Sequence, residues 1–202
     1  MSNGKILVWD LPTRVFHWSL AASFAGAFLT AESERFRDLH VMLGYTMVGL
    51  IVFRLLWGFI GTRYARFTSF AFGSRNVLAY LRSLVTPTPK RYAGYNPAGS
   101  WAIYLLLALG LLAGFSGYVT YQEITGEWAE EAHEAIANTM LAVVAVHVLG
   151  VVVSSLLHRE NLVSAMITGR KRGSQEDGIR RAHWIMGTLL LSTVAAYWAG
   201  AF

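Results

Sequence analysis

Four histidines lie within or at the ends of the apolar stretches of this 202-residue chain, at positions His17, His40, His133 and His147. Imidazole nitrogens are common ligands of transition metals. A histidine inside a membrane-spanning helix is costly unless it faces the protein interior and has a partner there. His133 and His147 are 14 residues apart, so a helix would place them on one face about 21 Å from each other. This spacing predicts two sites at different depths on one helix.

The composition predicts an integral membrane protein. Hydrophobic residues make up 54% of the chain and charged residues 14%, and the mean hydropathy is +0.42. We expect an all-α bundle in one domain, residues 1–202, with an additional surface helix capped by Ser74. Asp10 or Thr13 is the expected cap of the first helix. Five membrane-spanning helices are predicted at about 13–30, 39–60, 100–121, 132–157 and 182–202.

Cysteine is absent from the sequence. This excludes disulfides, thiolate-bound iron–sulfur clusters and covalently attached c-type haem.

The charges of the loops predict the orientation in a bacterial inner membrane. Lysine and arginine dominate the loops after the second and fourth predicted helices, which places those loops and the N-terminus in the cytoplasm and the C-terminus in the periplasm. The segment before the fourth helix would then be periplasmic. Its acidic residues are Glu123, Glu127, Glu130, Glu131 and Glu134.

This orientation puts His40 level with His133, and His17 level with His147. Zinc sites need three or four protein ligands, whereas haem iron needs only two axial ligands, so two pairs favour two non-covalent haems with bis-histidine ligation. The alternative is that the histidines are unrelated and lie at the membrane interface. His158 and His183 are expected near the interface as well, and not as iron ligands.

Two arginines and two glycines are candidate cofactor contacts. Arg14 and Arg54 could bind haem propionates, although cations at the cytoplasmic edge of a membrane are common without any ligand. Gly44 and Gly114 could admit a flat cofactor close to a helix backbone. Small residues in such helices are, however, more often part of a packing seam.

Three segments resemble the bacterial di-haem cytochrome b family, which includes prokaryotic cytochrome b561 and the b-type subunits of nickel–iron hydrogenases. They are DLPTRVFHW, His40 followed by VFRLLW, and HEAIANTMLAVVAVH followed by HRENLVSAMITGRKR. The resemblance covers about residues 6–173. It implies a four-helix bundle with two b haems bound by the four histidines, and transmembrane electron transfer with quinone as a partner. The fifth helix departs from that pattern.

Three functions remain open at this stage. The first is electron exchange between membrane quinone and a periplasmic c-type cytochrome or dehydrogenase subunit. The second is a superoxide:quinone oxidoreductase, which the acidic periplasmic segment disfavours because it would repel an anion. The third is a haem-bearing anchor, assembly factor or sensory subunit, whose haems would stay oxidised when quinol is added. The basic charge belongs to the cytoplasmic loops and requires no nucleic-acid partner.

Overall fold

A computed structural model describes residues 4–124 and 126–200 of the chain. These residues form mainly α-helices, joined by short 3-10 turns and a small antiparallel sheet. In chain order the elements are β1 (Gly4–Leu7), α1 (Leu11–Thr30), α2 (Arg37–Ile60), α3 (Ser74–Ser83), α4 (Pro97–Tyr121), α5 (Trp128–His158), α6 (Leu162–Thr168), β2 (Arg170–Gly173) and α7 (Trp184–Trp198).

Within the described residues, three helical segments are long and apolar enough to cross a membrane, namely Glu34–Ile60, α4 and α5. The first of them includes the short 3-10 turn that leads into α2. α1 is not among the three, although its 20 residues extend about 30 Å. α7 is a shorter apolar helix of 15 residues. The chain is therefore a multi-pass membrane protein.

Several helix boundaries differ from the expected ones. α5 begins at Trp128, one turn before the predicted start, because acidic side chains are favourable in the first turn of a helix. Gly73 occupies the cap position of α3, and Ser74 is already helical, so the predicted serine cap is wrong. α7 covers less than the predicted 182–202, since His183 has a φ of +50° and the helix ends at Trp198. Residues 201–202 lie outside the described part of the chain.

The closely packed helix pairs are α4 with α5, α1 with α2, α2 with α4, and α1 with α7. α1 and α5, which carry His17 and His147, are not among these pairs within the described residues. A core cluster joins side chains of α1, α2, α4 and α7. Its buried members are Phe16, Leu50, Ile51, Leu107 and Val194.

α7 lies along the pair formed by α1 and α2. Near its start, a side chain at Gly187 would overlap Leu11 of α1, with a Cβ atom only 2.4 Å from Leu11 Cγ. At its end, the indole nitrogen of Trp198 donates to the hydroxyl of Thr46 in α2, at 3.0 Å. The fifth predicted helix is therefore packed against the bundle.

Asp10 joins the start of α1 to the end of α2. Its Oδ1 accepts a hydrogen bond from the backbone nitrogen of Thr13 at 2.9 Å, which caps α1. Its Oδ2 accepts hydrogen bonds from Trp57 Nε1 at 3.1 Å and from Thr62 Oγ1 at 2.7 Å. The carboxylate is only 1% exposed, and its three donors balance the cost of burying it.

A second hydrogen bond joins the other ends of the same two helices, where His40 Nδ1 donates to the carbonyl oxygen of Ala27 at 2.8 Å. Asp10 and Ala27 are 17 residues apart, and so are His40 and Trp57. At about 1.5 Å per residue the two spacings match, at roughly 26 Å each. The antiparallel pair is thus fixed in register at both ends.

β1 and β2 form a small sheet at one end of the bundle, which we call the sheet end. β1 pairs with β2 in antiparallel register, from Gly4 with Gly173 to Leu7 with Arg170. Lys171 of β2 is buried and donates to the carbonyl oxygen of Tyr92 at 2.9 Å. Burial lowers the pKa of this ammonium group, and the nearby carboxylate of Glu160 partly opposes that change. The sequence did not predict the sheet or α6.

Replacing Asp10 with alanine should lower the free energy of unfolding by about 2–4 kcal/mol, because α1 loses its cap and two buried donors lose their acceptor. The measurement is an unfolding titration followed by circular dichroism, with the protein in detergent micelles. Asp38→Ala, which removes an exposed aspartate from α2, is the matched control and should change stability by less than about 1 kcal/mol. Equal effects of the two substitutions would contradict the role of Asp10.

Candidate haem site

His40 of α2 and His133 of α5 face each other across the bundle. Their ring centroids are 6.1 Å apart and their planes are nearly perpendicular, at 82°. Two imidazoles that bind one metal through nitrogens about 2 Å from it would have ring centres about 6 Å apart. The spacing of this pair is therefore compatible with one metal ion between the two rings.

Backbone and hydroxyl groups hold the far nitrogen of each ring. His40 Nδ1 donates to Ala27, and His133 Nδ1 lies 3.1 Å from both the carbonyl oxygen of Ala113 and the hydroxyl of Ser116. Bonds of this kind fix the tautomer and leave Nε2 as the metal-binding nitrogen. Nε2 of neither ring is hydrogen-bonded to the described residues. The sequence analysis missed these three partners, because a backbone carbonyl carries no sequence signal and small residues are frequent in membrane helices.

Gly117 makes room for the His133 ring. A Cβ atom at this position would lie 3.0 Å from His133 Cε1 and 3.3 Å from Nδ1. A Cβ at Gly114 would instead overlap Val48, so helix packing accounts for that glycine. A Cβ at Gly44 would meet no atom within 4 Å in the described residues. Cofactor contacts at Gly44 and Gly114 stay predictions.

His17 of α1 and His147 of α5 form the second predicted pair. His17 Nδ1 is buried and has no hydrogen-bond partner among the described residues. A buried imidazole nitrogen without a partner is unfavourable.

Arg54 is buried near the sheet end of α2 and is only 1% exposed. Its guanidinium carbon lies 5.0 Å from the ring centre of Phe67 and 5.8 Å from that of Phe70. Both terminal nitrogens, Nη1 and Nη2, lack a hydrogen-bond partner in the described part of the chain. An unpaired buried charge is expensive, and aromatic faces compensate only part of its cost. This group therefore fits an anionic partner such as a carboxylate.

Arg14 has a different environment. Its Nη1 donates to the carbonyl oxygen of Ile167 at 2.5 Å, and its guanidinium lies 5.9 Å from the ring centre of Trp184. It thereby connects α1 to α6 and α7. Among its buried nitrogens Arg14 lacks a partner only at Nε, whereas both terminal nitrogens of Arg54 lack one in the described residues, so Arg54 is the better supported candidate for a propionate.

The two remaining histidines lie outside the paired sites. His158 makes hydrogen bonds to the carbonyl oxygens of Ser154 and Lys90, at 3.1 Å and 3.0 Å. His183 precedes α7, and its ring packs edge-on against Trp57 at 5.3 Å between centroids. Within residues 4–124 and 126–200, no group of three or more His, Asp or Glu side chains could hold a metal ion. Metal binding by histidine here would thus use pairs and not a zinc-type cluster.

These features define a class of protein, namely a multi-pass helical membrane protein whose paired histidines suit a haem. The chain belongs to the prokaryotic cytochrome b561 family, whose profile matches residues 8–169. Members of this family are membrane helical bundles that bind b-type haem and transfer electrons.

Curated relatives cover most of the chain. A probable Ni/Fe-hydrogenase B-type cytochrome subunit of Rhizobium leguminosarum bv. viciae is 24% identical, over 83% of this chain and 89% of the relative. The protein of the same name from Azotobacter vinelandii is 25% identical, over 81% and 87%. The one from Rhodobacter capsulatus is 24% identical, over 83% and 81%. No solved structure matches the chain significantly.

The residues present fit a b-type haem in two respects. Nitrogens of the paired imidazoles could bind haem iron, and the buried guanidinium of Arg54 could bind a haem carboxylate. When bound, haem supplies a one-electron redox centre. The protein would hold the iron through histidine, fix the orientation of each imidazole, and exclude water from the bundle.

Replacing Arg54 with leucine should lower the midpoint potential of one haem by tens of millivolts, because losing a buried positive charge favours the oxidised state. A spectroscopic redox titration measures this change. Arg66→Leu removes an exposed arginine close to the end of α2 and should leave all potentials unchanged. Identical titrations for wild type and Arg54→Leu would show that Arg54 is not next to a haem.

Proposed function

We propose that this protein holds two b haems and carries electrons across a bacterial inner membrane. One haem would be bound by His40 and His133, and the other by His17 and His147. The observation that carries this proposal is the His40–His133 pair, with its 6.1 Å ring separation and its hydrogen-bonded Nδ1 atoms. On α5 the two ligands are 14 residues apart, so the two iron sites would be separated by about 21 Å along the membrane normal.

Two redox centres at different depths would divide electron transfer across the membrane into shorter steps. The supporting features are the apolar spans and the near absence of acidic residues from their interiors. This absence argues against proton transfer through a carboxylate relay. We assign the sheet end to the cytoplasm because its loops are rich in lysine and arginine. The opposite end, which we call the acidic end, would face the periplasm.

The partners follow from the family and from the charge of the two ends. Membrane quinone or quinol is the proposed partner within the bilayer. A periplasmic redox protein, either a c-type cytochrome or a dehydrogenase subunit, is the proposed partner at the acidic end. The names of the curated relatives make a Ni/Fe-hydrogenase one candidate of the dehydrogenase type.

The acidic end suits a basic protein better than a small anion. The five glutamates of the segment between α4 and the first turns of α5 are all exposed. Their field would attract a positively charged partner and repel superoxide, which argues against the superoxide:quinone oxidoreductase alternative. In the haem-bearing anchor alternative, no membrane quinol would reduce the haems.

Each of the variants His17→Ala, His40→Ala, His133→Ala and His147→Ala should retain one haem per chain where the wild type holds two, because each removes one axial ligand of one site. Haem extracted from the purified protein and quantified against its concentration gives this number. His158→Ala and His183→Ala are matched controls and should retain both haems. A wild type with one haem, or four variants with wild-type content, would contradict the ligand scheme.

The paired change Glu130→Gln and Glu131→Gln should slow electron transfer to a basic soluble c-type cytochrome about three- to tenfold at low salt, because it weakens electrostatic steering. Stopped-flow mixing of the prereduced protein with that cytochrome measures the second-order rate constant. The control pair, Glu32→Gln and Glu34→Gln, lies in the neighbouring loop beside two arginines and should have a smaller effect. Rates that are insensitive to both salt and Glu130/Glu131 would argue against docking at the acidic end.

A further inference from the structure

A cavity of about 310 Å³ lies at the sheet end, where α2 ends and α7 begins. It is not part of either proposed haem site. Three arginines and one histidine contribute to its lining, together with the hydroxyl-bearing Thr62. They are Arg63, Arg180, Arg181 and His183.

The arginines of this cavity have few acidic partners. Asp177 lies 4.0 Å from Arg63, and this is the only salt bridge among the described residues. Arg180 and Arg181 are exposed. The carboxylate of Asp10 lies behind Thr62, but it is buried and already accepts three hydrogen bonds. The cavity therefore offers donors to an anion from outside the chain.

Backbone amides at the start of α7 add further hydrogen-bond donors for an anion. His183 precedes α7 in a left-handed conformation, and no side chain caps the helix. The first amides of a helix carry partial positive charge and need acceptors. In an uncapped helix these amides remain available to an anion held by the neighbouring arginines.

The chain on both sides of the cavity is apolar and exposed. Phe59 and Ile60, which precede Thr62, are 74% and 75% exposed. Trp184 and Ile185, which follow His183, are 64% and 78% exposed. Exposed aliphatic side chains in a membrane protein contact lipid tails, and tryptophan is favoured at the level of the headgroups. The cavity thus lies at the boundary between hydrocarbon and water.

We propose that this cavity binds the phosphate of an anionic phospholipid. Arginine forks bind phosphate oxygens well, and basic pockets between membrane helices on the cytoplasmic side suit anionic headgroups. Free phosphate shares the same chemistry, but only a lipid would also cover the exposed ends of α2 and α7. A bound lipid would join α2 to α7 at the end where Trp57 already contacts His183.

Native mass spectrometry of the purified, haem-loaded full chain in detergent tests this proposal. Dioleoylphosphatidylglycerol, dioleoylphosphatidylcholine or inorganic phosphate is added at equal concentration. We expect phosphatidylglycerol to bind at least tenfold more tightly than phosphatidylcholine. The double variant Arg180→Gln and Arg181→Gln should bind phosphatidylglycerol about tenfold more weakly than the wild type does.

The matched control is Arg66→Gln with Arg75→Gln, which removes two exposed arginines outside the cavity. The affinity of this control variant for phosphatidylglycerol should stay within twofold of that of the wild type. Unchanged absorption of the haems verifies that each variant is folded. Equal binding of the two lipids, equal losses in both double variants, or saturation by phosphate without any preference for phosphatidylglycerol would each overturn the proposal.

Discussion

The register between α1 and α2 is the constraint on which the rest of the structure depends. A buried carboxylate fixes one end of this helix pair and an imidazole fixes the other, over equal lengths of 17 residues. Because helices are rigid on this scale, the two hydrogen bonds determine the height of every side chain between them. They set the level of His17 on α1 and of Arg54 on α2. They also orient His40, whose own hydrogen bond is one of the two.

The residues proposed to hold haem are also buried polar groups that need hydrogen-bond partners inside an apolar bundle. Backbone carbonyls within membrane helices normally bond only to their own helix, so the second bonds to Ala27 and Ala113 hold imidazoles without adding a charge. Gly117 supplies the space that His133 needs. Where protein partners are absent, at the terminal nitrogens of Arg54, a bound anionic group has the most to contribute. The buried polar groups thus include some that orient imidazoles and some that have no partner in the described residues.

The sequence predicted those features that depend on one helix or one loop at a time. Long apolar runs predicted the cores of α2, α4 and α5, and Asp10 was correctly expected as a cap of α1. The loop charges, which set the predicted orientation, placed His40 level with His133, and the centroids of the two rings are 6.1 Å apart in the structure. These predictions depend on local periodicity, on a hydrogen bond within three residues and on the charge of the loops.

Contacts between distant segments could not be predicted in this way. The pairing of β1 with β2 joins residues more than 160 positions apart, and neither four-residue segment shows the apolar alternation typical of a strand. The role of Arg14 was also hidden, because its partner is a carbonyl of α6, a helix that was not expected. The start of α7 depends on the left-handed backbone of His183, which composition does not indicate.

Transmembrane electron transfer through two histidine-bound haems is the central claim. It is tested most directly in liposomes that contain the purified protein and trapped ferricyanide, with dithionite added outside, since neither reagent crosses a sealed bilayer readily. Loss of the ferricyanide absorbance should be fast with the wild type and should fall to the rate of protein-free liposomes when either His17 or His133 is replaced by alanine. Wild-type liposomes that are no faster than protein-free ones, or single-site variants as fast as the wild type, would contradict the account.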